Sequence, residues 1–211
     1  MRDVVLSVVM VAVAYIAGSI PSGFLVIKAT TGKDIRRYGS GNIGMANAYR
    51  VGGAVPAGLV LLGDALKGAL PVLAARHLLG LPDLAVVLIG AAAIAGHDFP
   101  VFLRGHVGKG VATSLGVILA LAPPVALAAG LIWLLVILIS RYASLASLTM
   151  LGAASVLMLV YDLVFLGWRH LVVTLFVVAL FFVAVYRHRT NIDRLMHGRE
   201  LKITEKPEQA V

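Results

Sequence analysis

An all-helical integral membrane protein of seven spans is the fold class this sequence predicts, and three observations carry it. Hydrophobic residues make up 60% of the 211-residue chain and charged residues only 13%, where a soluble domain carries ~25% charged residues. The mean hydropathy is +0.97. The few charges are gathered into short polar runs, between apolar segments long enough to cross a bilayer. Cysteine is absent, which excludes disulfides, thiolate metal sites and a cysteine nucleophile. The net charge of +8 is split among loops and forms no stripe that would track nucleic acid.

The predicted spans cover 4–27, 54–79, 83–97, 108–122, 124–140, 143–164 and 169–187. The first is too long for a signal h-region and follows Arg2–Asp3 rather than a basic start, so it is read as a retained span. Pro123–Pro124 divides the apolar stretch from Ala112 to Ile139, because proline removes donors and disfavours helix in the residue before it. Charge decides the number of crossings. The first loop holds Lys28, Lys33, Arg36, Arg37 and Arg50 against Asp34, a net +4. From Arg187 onward six basic residues face four acidic ones, a net +2. Basic loops stay cytoplasmic. Seven spans place the first loop, the 97–107 loop, the Arg141 turn and the C-terminus there, with the N-terminus outside. One domain is expected over 1–201, followed by a disordered polar tail at 202–211.

Three polar runs carry the chemistry. Gly39–Arg50 combines the glycines at 39, 41 and 44 with Ser40, Asn42, Asn47 and Arg50. Small polar side chains and free N–H groups form a concave donor array, and Arg50 adds a planar fork for phosphate or carboxylate. The same residue types also build ordinary turns. In Gly96–Thr113, Lys109 lies between Gly108 and Gly110 at the start of a helix, where N–H groups and the dipole attract anions. The run lacks GxxxxGK[ST], which argues against magnesium-nucleotide binding. The third run, His188–Glu200, follows the last span. Asp64 and Lys67, one turn apart at membrane depth, read either as a self-satisfied ion pair or as part of the anion site.

The histidines are weighed in the same way. His97, His106 and His188 lie in or beside these runs, where an interfacial histidine is commonly a solvated side chain. His188 and Asp193 spell H-x-x-x-x-D, yet on a helix they sit about 140° apart. No serine stands in a nucleophile elbow.

With these residues in view, the chain resembles the bacterial membrane-integral acyl-phosphate:glycerol-3-phosphate acyltransferases over essentially its whole length. One motif appears as Gly39-Ser40-Gly41-Asn42 with Gly44, Asn47 and Arg50. A second appears as Gly96-His97, Phe99-Pro100 and Gly108 to Thr113. The third appears as His188, Asn191-Ile192, Arg194-Leu195, Gly198 and Glu200. Asp64, Lys67-Gly68, Arg141-Tyr142 and Ser144-Leu145 also fit. Ala46, Gly105, His106 and Val107 depart from the pattern.

The resemblance implies acyl transfer from acyl phosphate to the 1-hydroxyl of glycerol 3-phosphate, giving lysophosphatidic acid and phosphate. It implies catalytic roles for Ser40, Arg50, Lys109, His188 and Asn191. Substrate contacts fall to Gly39, Asn42, Asn47, Lys67, His97, Gly108, Gly110, Thr113, Ser144 and Arg194, and structural roles to Asp64 and Glu200. No cofactor or metal is implied, because acyl phosphate is already an activated mixed anhydride. The implied setting is the bacterial inner membrane, with a cytoplasm-facing site, membrane lipid as partner and functional coupling to the enzyme that makes acyl phosphate. Either a histidine, His188 ahead of His97, or the substrate's own phosphate takes the hydroxyl proton. A transporter for a phosphate ester is the competing reading, against which stand the clustering of polar loops on one face and the absence of an inverted repeat.

Overall fold

The computed structural model describes residues 1–103 and 108–205. Every regular element among them is helical. α1 (Arg2–Gly18) and α2 (Ser22–Thr31) form one apolar stretch broken at Ser19–Pro21. α3 (Met45–Gly52) is short and amphipathic, and α4 (Ala54–Leu73) continues through a π-helical turn to Leu78. α5 (Asp83–Asp98), α6 (Val111–Leu121) and α7 (Pro123–Ser140) follow. α8 (Ala143–Tyr161) runs into a second π-helical turn, and α9 (Leu171–Arg187) bends by 61° into the short α10 (Arg189–Met196).

Among the described residues, four stretches are long and apolar enough to cross a membrane: Arg2–Thr31, Ala54–Leu78, Pro123–Ser140 and Ala143–Leu166. A fifth joins them if α9 and α10 are taken together. α6 is shorter than the predicted 108–122 for two local reasons. Gly110 takes a left-handed φ of 65°, so the helix cannot begin before Val111. Ala122, which precedes Pro123, leaves the helical region at φ −145° and ends it. Eleven residues reach only ~16 Å of a ~30 Å hydrocarbon layer. The helices α3 and α10 were not foreseen from hydropathy, because both are too polar to register as spans.

Backbone contact holds the bundle together. A Cβ at Gly18 would lie 2.1 Å from the Ala93 carbonyl oxygen, and one at Gly96 would lie 2.1 Å from that of Tyr15, so α1 and α5 touch directly. Gly116 and Gly68 bring α4 and α6 together in the same way, at 2.0 Å from Ala65 O and 2.4 Å from Thr113 O. Small residues at the crossing are what packing requires in lipid, where no hydrophobic force drives helices together. Ile89, Val117, Ile118, Met150 and Met158 fill the centre. Leu62, Leu131, Leu138 and Phe182 face outward along the helices, an apolar exterior suited to acyl chains rather than water.

A polar end of the bundle is ordered by a backbone hydrogen bond. α7 stops at Arg141, left-handed at φ 62°, whose carbonyl accepts from the Ile203 N–H at 2.8 Å. The first residues of the expected polar tail are therefore docked on the α7–α8 turn. His106, Val107 and residues 206–211 lie outside the described residues.

Candidate active site

A cavity of about 420 Å³ opens where the three polar runs meet. Its polar half is lined by Ser40, Asn42, Asn47, Arg50, Lys109, Gly110, Ser144, His188, Asn191, Arg194 and Glu200, together with Asp64 and His97 from the bundle. Its apolar half is built by Leu61, Leu115, Gly130, Trp133 and Met150. Sequence reasoning found the first set and missed the second. The only local hint was a tryptophan one turn after a glycine in an otherwise aliphatic span.

Asn47 organises the first loop. Its Nδ2 donates toward the carbonyls of Ile35 (3.2 Å), Tyr38 (3.0 Å) and Asn42 (2.9 Å), and its Oδ1 accepts from the Ser40 N–H at 3.1 Å. With this side chain committed to the backbone, Asn47 shapes the site rather than offering a spare donor. Asn42 Oδ1 accepts from Gly44 N–H at 2.8 Å, which sets the entry into α3. Gly39 (φ 57°) does not line the cavity; it turns the loop so that Ser40 stands at the mouth.

A relay links the second and third runs. Arg194 Nε donates to Glu200 Oε2 at 2.8 Å, Asn191 Nδ2 donates to Glu200 Oε1 at 2.6 Å, and Lys109 Nζ donates to Asn191 Oδ1. Burial pushes the Glu200 carboxyl up, but the hydrogen bonds from Arg194 and Asn191 outweigh it and hold the group below its ordinary value. The Lys109 ammonium is pulled down to about 8, first by burial and then by the neighbouring arginines, against the opposing pull of Glu200. Arg50 reaches the same corner: its Nε and Nη2 donate to the carbonyls of Lys202 (3.1 Å) and Leu201 (3.0 Å). Three cations around one carboxylate leave the cavity floor positive.

His188 is buried at the α9–α10 bend. Its Nδ1–H donates to the Ala184 carbonyl at 2.8 Å, so the ring presents Nε2 as an acceptor. Burial and the charge of Lys109 push its pKa down to about 4, which keeps it neutral. His97 Nδ1 stands 3.5 Å from Asp64 Oδ1.

Three further predicted contact residues lie behind the cavity wall. Lys67 is turned away, bonding Asp64 Oδ1 and the Ile20 carbonyl, each at 2.8 Å, because a buried ammonium takes the nearest acceptors. Of its two readings, the self-satisfied pair matches the geometry. Gly108 packs on His97: a Cβ there would lie 1.9 Å from the imidazole Nε2. Thr113 is fully buried against Gly68.

A family model described as Glycerol-3-phosphate acyltransferase matches residues 8–198. A glycerol-3-phosphate acyltransferase of Desulforudis audaxviator (strain MP104C) is 46% identical over 198 residues, covering 93% of this chain and 96% of that one. One of Burkholderia ambifaria (strain MC40-6) is 44% identical over 198 residues, covering 94% and 91%. The crystal structure of PlsY (YgiH), an integral membrane glycerol 3-phosphate acyltransferase, superposes in its glycerol 3-phosphate form with a TM-score of 0.84 at 38% identity, covering 93% of this chain and 94% of that one. Its lysophosphatidic acid form superposes with a TM-score of 0.81. A polar, cationic floor joined to an apolar wall, in a bundle of this shape and sequence, places the chain in the glycerol-3-phosphate acyltransferase family of integral membrane proteins.

Proposed function

We propose that the chain transfers a fatty acyl group from acyl phosphate to the 1-hydroxyl of glycerol 3-phosphate, releasing lysophosphatidic acid and phosphate. The observation that carries this reading is the cavity itself, where Arg50, Lys109 and Arg194 lie within one space that also touches Trp133 and Met150. Two phosphates and the start of an alkyl chain are what such a lining suits. Ser40 and Arg50 would take the glycerol 3-phosphate headgroup. Lys109 and the free N–H groups opening α6 would take the acyl phosphate. The hydroxyl oxygen attacks the acyl carbon, the bond from that carbon to the phosphate oxygen breaks, and its electron pair leaves with the phosphate. Lys109 and the α6 N-terminus would stabilise the charge that gathers there.

The proton is better taken by a substrate phosphate than by a histidine. A phosphate monoester titrates near ~6, closer to working pH than His188 at about 4. His188 Nε2 would orient the hydroxyl as an acceptor. Asn191 and Glu200 would hold Lys109 in place.

Seven crossings, with the cavity facing the cytoplasm of the bacterial inner membrane, complete the proposal. The segments around Ser40, Lys109, Ser144 and His188 follow the first, third, fifth and seventh apolar helices, and all line one cavity, as alternating sides require. The exposed Lys33 and Arg37 lie in the same loop as Ser40. Cysteines placed at Lys33 and Gly198 should react with an impermeant reagent only from the cytoplasmic side. Protein in detergent, without vesicles, should consume acyl phosphate and glycerol 3-phosphate together and leave acyl-CoA untouched. Absence of turnover there, with substrate movement in vesicles, would replace the enzyme by a transporter.

A further inference from the structure

We infer that Arg187, steadied by Asp98, is a positioning residue for this reaction: it holds the Gly108 carbonyl and so sets where Lys109 presents its amine. The inference rests on the role proposed for Lys109. The need for an anchor follows from the loop itself, since Gly108 and Gly110 have no side chains to fix it and leave Lys109 on a pivot. Arg187 Nη2 donates to Gly108 O at 2.6 Å, and its Nε stands 3.6 Å from Asp98 Oδ2. The guanidinium lies 5.1 Å from the centre of the Phe99 ring, and the Phe99 carbonyl is in turn held by Tyr15 Oη at 2.9 Å. Arg187 is thus clamped on three sides, by a carbonyl, a carboxylate and an aromatic face.

The geometry ties both sides of the site to one helix end. Successive residues on a helix point about 100° apart. At the end of α9, His188 enters the cavity while Arg187 reaches behind the Lys109 loop. Asp98, at the end of α5, is nearly fully buried, and its Oδ1 lies 3.2 Å from where a Cβ on Gly110 would stand. The carboxylate therefore backs the loop at both glycines, through Arg187 at one and by contact at the other.

Arg187→Lys is the direct test, because it keeps the charge and loses the fork that spans Gly108 and Asp98. A lysine loop displaced by an ångström predicts a fall in kcat of about 10²-fold, with KM for glycerol 3-phosphate little changed. A second readout needs no turnover: pH-dependent acetylation of Lys109, followed by mass spectrometry. Its titration should rise from about 8 toward the ordinary lysine range as the loop reaches water. An unchanged titration, or wild-type kcat, in a folded Arg187→Lys protein overturns the inference. If that variant fails to fold, Asp98→Asn carries the test. Loss of a nearby negative charge alone would lower the Lys109 titration, whereas release of the loop raises it, so a fall overturns the inference. Wild-type protein that turns over neither substrate defeats the proposed reaction instead, and the acetylation result still decides the role of Arg187.

Discussion

The two ends of α9 carry polar clusters of similar make-up and opposite character. At its start, His170 Nδ1 meets Asp83 Oδ2 at 2.5 Å, and Asp162 accepts from Thr174 Oγ1 at 2.7 Å and from the His170 N–H at 3.4 Å. These groups satisfy one another and none of them lines the cavity. At its end, His188, Lys109 and Arg194 also have partners, yet they border open space and carry an excess of positive charge. A buried polar cluster is therefore not a site by composition. Donors left facing a cavity, and charge left uncompensated, make the difference.

The largest effect that tests this contrast is loss of charge on the cavity floor. Lys109→Met should cost ~10³-fold in kcat, about 4 kcal/mol of transition-state stabilisation. In the wild type, kcat/KM should fall as pH rises through about 8, because the lowered pKa of Lys109 means its cation is lost there. His188, already neutral, should add no limb between pH 5 and 8. A flat alkaline profile would remove the charge requirement.

Arg50→Lys should lower kcat/KM for glycerol 3-phosphate by about 10²-fold, since a point charge cannot both keep the Leu201 and Lys202 carbonyls and face a phosphate. Near-normal turnover in the folded variant would take Arg50 out of the binding floor.

Gly108→Ala should act through His97 rather than through a phosphate, because its methyl would meet the imidazole. Overpacking of this kind costs roughly 1–3 kcal/mol, so a lower Tm should accompany any loss of rate. A selective rise in KM for acyl phosphate at unchanged Tm would return Gly108 to the cavity surface.

The smallest effect on catalysis belongs to the far end. Thr174→Val should leave kcat within about twofold while lowering stability by ~1–3 kcal/mol, since Asp162 loses a buried donor. A large loss of activity at normal stability would join the two ends functionally and break the comparison.

Most of this protein's outline was legible in one dimension. Apolar length placed the longer helices, Pro123–Pro124 divided α6 from α7, and the residue types of the three polar runs named most of the cavity's polar lining. These are local properties, fixed by hydropathy and backbone sterics within a few residues. The tertiary structure decided how each polar group is spent. Asn47 serves the loop backbone, Lys67 turns to Asp64, Glu200 steadies Lys109 through Asn191, and Gly108 makes room for His97. It also brought Trp133 to the apolar wall. The physical reason is the same in each case. Inside a bundle that excludes water, every donor must find an acceptor that packing brings near it, and that neighbour lies far away in sequence.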